Sequence, residues 1–390
     1  MLFRSGADIV AAAGIGSSAG LDQSGLNFSG FIAKFIDPGT AGDNATRYLP
    51  ELGVLLGLPK GASSTLIWNA FQNLPQEQRS RYLVDLFCRV LRDAGRDHNN
   101  PKSPGYGNYD AGFAAIAALF PASTTWRGDV TLTSREIKTA SGGDITLVAP
   151  GGQLLVGFDL SGNQPVDQGV LTEAGGNISI FTRQSAIVGT SRIFTLRGGN
   201  IIMWSSEGDI AAGASSKTVQ SAPPTRVLID PQTADVKTDL AGLATGGGIG
   251  VLTTVAGVPP GDVDLIAPAG SIDAGDAGIR VSGNINLAAL QVLNVANIQV
   301  QGVSAGVPQF NVSLNVAGLQ AANNTVAATA AGASGAAGSG QNAATAQEDV
   351  PSLVSVEVLG YGGGDGEDQK QRDDDDHKGA DSGARDPANG

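Results

Sequence analysis

Apolar and polar residues alternate with a period of two along much of this chain, and the alternation restarts after one short phrase: glycine, then Asp or Asn, then Ile or Val. The phrase stands at Gly143-Asp144-Ile145, Gly176-Asn177-Ile178, Gly199-Asn200-Ile201, Gly208-Asp209-Ile210, Gly261-Asp262-Val263 and Gly283-Asn284-Ile285. A residue tolerant of positive φ, an Asx side chain able to bond its own backbone and a β-branched residue opening a strand specify one turn-plus-strand unit. Repeated units of this kind bury their apolar sides by stacking on one another, which predicts a parallel β-helix. Asn200 to Asp209 and Asp262 to Ser271 are each nine residues, too few for a helical crossover, and Asn177 to Asn200 is 23, close to one coil. The longer gap from Asp209 to Asp262 reads as a coil carrying a loop marked by Pro223, Pro224 and Pro231. Ile145, Ile178, Ile201, Val263 and Ile285 are then expected in one elongated core of about eight or nine coils, roughly 40 Å long at about 4.8 Å per coil. The competing arrangement is an antiparallel sandwich with Gly-rich turns.

Between Leu26 and Pro121 the period becomes helical. Leu74-Pro75-Gln76-Glu77 starts one helix, whose apolar face is Tyr82, Leu83, Leu86, Phe87, Val90 and Leu91 and whose end is expected at Gly95. A second helix is expected from Asp110 to Phe120, with Phe113, Ile116 and Phe120 on one side. This stretch reads as a helical subdomain (26–121) inserted between a first solenoid coil (1–25) and the main β-helix (122–318). Its aromatic residues favour packing over recognition; Trp68, Tyr82, Tyr106 and Tyr109 are the candidates for an interaction surface.

Beyond residue 318 the strand signal fades into an Ala/Gly-rich linker (319–349), a short strand-like run (350–362) and an acidic tail (363–390) expected to be disordered. Glycine is 56 of 390 residues and charged residues only 16%, which suits a long solvated sheet surface. The net charge of −13, without a basic stripe, argues against nucleic acid, and no apolar run is long enough for a membrane helix. Asp8 interrupts the first apolar stretch and argues against a secretory signal; Gly6-Ala7-Asp8-Ile9-Val10 reads instead as a copy of the phrase, as if the chain began inside a solenoid of a longer exoprotein.

Candidate chemistry is sparse. The single Cys88 sits in an apolar helical stripe and reads as a packed thiol; His98, expected in a polar loop from Arg96 to Asn100, and His377, beside an aspartate run, have no second imidazole for a metal site. Gly362-Gly363-Gly364-Asp365 resembles a calcium-binding nonapeptide but occurs once, and the aspartates 373–376 read as a solvated tail. No cofactor, metal or catalytic set is expected. Paired carboxylates for glycoside cleavage are the one enzymatic option, at Asp262 with Asp264 or Asp273 with Asp276, although the turn phrase explains Asp262 and Asp273 without chemistry.

The run Gly261 to Ile279, followed by Val292-Leu293-Asn294-Val295-Ala296-Asn297-Ile298, resembles the carboxyl-terminal region of filamentous haemagglutinin family exoproteins. Gly142-Gly143-Asp144-Ile145, Pro150-Gly151-Gly152, Gly198-Gly199-Asn200-Ile201 and Leu119-Phe120-Pro121 fit the same pattern. The resemblance implies a right-handed parallel β-helix, export through an outer-membrane partner in two-partner secretion, and a secreted or surface-displayed adhesin that meets a host or bacterial glycan or protein receptor. The amino-terminal secretion domain of that family and a carboxyl-terminal toxin domain have no counterpart in the sequence. The alternatives are a carbohydrate-active β-helix enzyme, a polysaccharide lyase or hydrolase, and a non-functional fragment of an adhesin gene.

Overall fold

The computed structural model describes residues 6–15, 25–133, 135–157, 169–213, 226–229, 236–239, 247–253 and 257–308. They belong to one compact unit, Met1–Asn311. The expected linker, short strand and acidic tail, with His377, lie outside the described residues.

Strands lie on three faces. Face 1 holds β1 (Ile9–Ala12), β4 (Ile145–Ala149), β7 (Ile178–Thr182), β10 (Ile201–Ser205), the first halves of β15 (Val263–Asp273) and β17 (Ile285–Leu293), then β19 (Ser304–Ala305). Face 2 holds β2 (Val130–Leu132), β5 (Leu154–Val156), β8 (Ala186–Val188), β11 (Ile210–Ala211) and the second halves of β15 and β17. Face 3 holds β3 (Glu136–Thr139), β6 (Gly169–Thr172), β9 (Arg192–Thr195), β14 (Gly248–Val251), β16 (Ile279–Val281) and β18 (Ile298–Val300). The ladders within these faces are parallel. An antiparallel pair, β12 (Arg226–Ile229) with β13 (Val236–Asp239), occupies the excursion marked by the prolines.

The protein is therefore a parallel β-helix. Ile145, Ile178, Ile201, Val263 and Ile285 are buried in one core of Ile, Leu, Val, Ala and Met. Six coils contribute to all three faces and β19 opens a seventh, so the described stack is shorter than eight or nine coils, about 30 Å.

The repeated phrase works differently from the expected local turn. On face 1 the Asx oxygen accepts a hydrogen bond not from its own backbone but from the Asx N–H of the next coil: Asp8 from Asp144 at 2.9 Å, Asp144 from Asn177 at 2.7 Å, Asn177 from Asn200 at 3.0 Å, Asn200 from Asp262 at 2.8 Å, and Asp262 from Asn284 at 2.9 Å; Asp209 and Asn284 accept in the same way from the N–H groups of Ser271 and Val303. The phrase glycine serves close approach as much as positive φ: a Cβ at Gly261 would lie 1.8 Å from the carbonyl oxygen of Gly199 one coil below. Asp273 keeps a local turn, accepting from the N–H of Gly275.

Five helices leave the first coil between β1 and β2: α1 (Phe28–Phe35), α2 (Asp43–Leu55), α3 (Ser64–Gln72), α4 (Gln76–His98) and α5 (Asp110–Leu119). Asn27 caps α1 by accepting from Gly30 N–H, and Ser63 caps α3 by accepting from Leu66 N–H. The helices cover the outside of face 1, where the outward positions Val148, Phe181, Trp204, Ile266 and Ala288 stand in register on successive coils and are buried in the helical core.

Two sequence expectations fail at this contact. The long helix does not stop at Gly95 but runs on to His98, which ends α4 rather than lying in a loop. Gly95 is there because the helix lies close on the sheet: a Cβ would sit 2.3 Å from Ile266 Cγ1. The buried face of α5 is Gly112, Ala115 and Leu119, with Phe113 43% exposed, because Gly112 admits the Trp204 ring, 2.4 Å from where its Cβ would be.

Candidate functional site

The helix α4 runs along the coil stack. Arg81 pairs with Asp8 of the first coil, Cys88 meets Ser179 of the third, Arg96 reaches Asp264 of the fifth and Asn99 binds Asn286 of the sixth. Eighteen residues from Arg81 to Asn99 rise about 27 Å, and the five coil steps they span amount to about 24 Å. Side chains three or four apart on one edge of α4 thus reach successive coils.

Between this edge and the Asx column lies a polar cleft of about 190 Å³. Asp85, Arg89, Arg92 and Arg96 line its helical wall, and Asp144, Asn177, Asn200, Asp262 and Asp264 its sheet wall. Arg96 donates to both oxygens of the fully buried Asp264, at 2.7 and 2.8 Å, and also reaches Asp262 at 3.4 Å. Burial pushes the Asp264 carboxyl above the usual carboxylate range while Arg96 opposes that push, and the same hydrogen bond raises the Arg96 guanidinium. Arg89 pairs with Glu51 of α2, and Arg92 bonds Asp93 at 2.7 Å. At Asp85, too, burial first, then Asp144 and Asp8, pushes the carboxyl up, to about 7. The Cys88 thiol, buried beside it, is pushed up to about 12, which leaves it inert as a nucleophile.

Such a cleft binds helix to sheet. The carboxylates Asp262 and Asp264, which the sequence offers as a hydrolytic pair, are both held by Arg96; Asp273 is tied to Gly275 N–H and the Asn294 amide. Among the described residues no three His, Cys, Asp or Glu are arranged to hold a metal ion, and no helix is long and apolar enough to cross a membrane.

The four candidate aromatic residues are dispersed in role. Trp68, tilted against Phe71 at 6.0 Å, and Tyr82 are half-buried against the helical core. Tyr109 stacks on His98 at 4.1 Å and meets the Trp204 edge, and burial pushes its hydroxyl up to about 12. Tyr106 is 57% exposed. The charged edge of α4 was missed in the sequence; its only signal is the four-three-four spacing of Arg81, Asp85, Cys88 and Arg92 beside the apolar face.

Residues 198–309 match the model of a family described as filamentous haemagglutinin family outer membrane protein. The resemblance read from the residues is to this family. The matched span begins just before β10 and takes in the Asx column from Asn200 onward, with Asp262 and Asp264, but none of the helical layer at 28–119. No curated protein and no solved structure matches the chain.

Proposed function

We propose that this chain is a structural section of a secreted or surface-displayed adhesin of filamentous haemagglutinin type, exported by an outer-membrane transporter of two-partner secretion and mediating attachment to host cells or other bacteria. The observation that carries the reading is the family match at 198–309 lying on a parallel β-helix. The solenoid suits the role because stacked coils give a stiff rod from short repeats. A role without catalysis is supported by Arg96, which holds both carboxylates of the Asp262–Asp264 pair.

The helical layer is assigned the role of closing face 1, since its apolar side is consumed by that contact. The test is surface labelling with an attachment assay. Intact cells should bind an antibody raised to the chain, lose that label when the transporter gene is deleted, and attach less when this gene is deleted. Protein confined inside the cell, with attachment unchanged, would overturn the reading.

A further inference from the structure

Face 3 presents a second polar surface, built on a different register from the cleft. Its outward positions Leu171, Phe194, Gly250, Arg280 and Gln299 align on successive coils. β14 contributes only glycine there, Gly248 and Gly250, because its apolar Ile249 and Val251 point into the core. Across that bare strand the Arg280 guanidinium lies 5.3 Å from the centre of the Phe194 ring. One terminal nitrogen donates to Gly247 O at 2.7 Å, while Nε is buried without a hydrogen bond, and the ion pairs among the described residues do not include Arg280. Burial lowers its pKa, with no carboxylate opposing.

Beside it Ser282, 9% exposed, has a buried hydroxyl with no partner among the described residues. Arg280 and Ser282, together with Thr253, Gln299 and Gln301, line an open groove of about 370 Å³ whose wall carries no acidic residue among the described residues, in a chain of net charge −13. The arginines of the helical cleft each have an acid; among the described residues this one has none. Arg280 Nε and the Ser282 hydroxyl are thus two buried donors without an acceptor among the described residues.

The missing acceptor can be specified. A single guanidinium balances one negative charge, which one carboxylate supplies in a form that accepts two parallel N–H bonds. The Thr, Ser and Gln side chains around Arg280 offer hydroxyl and amide groups that suit the hydroxyls of a sugar ring. We propose that this groove binds a carboxylate-bearing sugar of the uronate class, with the carboxylate on Arg280 and Ser282 and the sugar hydroxyls on Thr253, Gln299 and Gln301. The site is a property of the purified chain and does not depend on its export or on adhesion.

The test is calorimetric titration of the full chain with a galacturonate trimer, a neutral glucose trimer, a sulfated neutral trisaccharide and a glutamate tripeptide. The uronate trimer should bind saturably and the neutral one at least about tenfold more weakly, the scale of one charge-assisted pair. Arg280→Gln should lose about tenfold or more at an unchanged melting temperature, and Ser282→Ala a smaller factor. If Arg280→Gln does not fold, the double variant Gln299→Ala/Gln301→Ala, on two exposed side chains, carries the test and should weaken binding. Absence of saturable uronate binding, binding unaffected in the variant that folds, or preference for the sulfated sugar or the peptide would each overturn the proposal.

Discussion

The two sides of face 1 bury different kinds of side chain on the same strands. Inward, Ile201 and Met203 join a core that, among the described residues, holds no aromatic ring; outward, one residue further along, Trp204 joins Phe31, Phe35, Phe71, Phe87, Phe120 and Phe181 beneath the helices. Inside the solenoid each side chain sits about 4.8 Å from its equivalents above and below, which favours stiff β-branched columns repeated coil after coil. The helical layer obeys no such repeat and can vary residue by residue, so it uses rings of large area to seal an irregular surface. Stability is therefore shared evenly along the solenoid and concentrated in the layer, most of all at Trp204.

Adjacent substitutions on opposite sides of β10 should break this contrast most strongly. Trp204→Ala removes a fully buried ring that meets Tyr109 and Phe113 edgewise and bonds Ser206. The expected cost is about 3–5 kcal/mol, the range for truncating a large buried side chain. Hydrogen exchange should show α4 and α5 losing protection while β7 and β15 keep theirs; Met203→Ala should do the reverse. If both variants release helices and strands together, the two cores form one cooperative unit and the contrast fails.

The contrast also explains what could be read in advance. Ile145, Ile178, Ile201, Val263 and Ile285 were legible because each follows the same Gly-Asx pair, and a repeat exposes its own geometry. Gly95 was misread because a glycine permitting close helix–sheet contact and one ending a helix look alike in sequence. Phe181 and Trp204 were visible as apolar residues, but nothing local says that the outward side of a strand is covered. The charged edge of α4 was illegible for the same reason: Arg89, Arg92 and Arg96 resemble a solvated face until the helix is laid along the coils. At Arg280 the informative signal is the absence of an acid among its described neighbours in space.

Asp85 sharpens the contrast through pH, since it lies at the boundary between layer and solenoid. Its folded carboxyl, near 7, stands above the ordinary value of about 3.9 for an unfolded chain. Between those values the folded state holds a proton that the unfolded state has released, so this group's contribution to stability is full below about pH 4 and is lost as pH rises toward about 7. Asp85→Asn stays neutral throughout and removes the loss. The variant should gain stability relative to the parent as pH rises from 4 to 8, reaching about 2 kcal/mol once solvent in the cleft is allowed for. Parallel melting curves for the two proteins across that range would show that Asp85 is not held protonated at the boundary.

The smallest effect is expected on the Asx column, where the solenoid spreads its hydrogen bonds most evenly. Asn200 accepts from the Asp262 N–H at 2.8 Å and donates to Asn177 Oδ1 at 3.1 Å, one rung among several of the same form. Asn200→Ala should therefore cost about 1 kcal/mol, the net scale of a partly exposed hydrogen bond. Asn200→Asp preserves the acceptor for Asp262 N–H, as Asp144 does for Asn177. It places a carboxylate beside Asp262, however, and should fall between Asn200→Ala and the parent in low salt and approach the parent as salt screens that repulsion. Thermal melts of the three proteins at two salt concentrations measure this order. A loss at Asn200→Ala as large as that at Trp204→Ala would mean that one rung controls the stack, contrary to a solenoid whose stability is divided among equivalent coils.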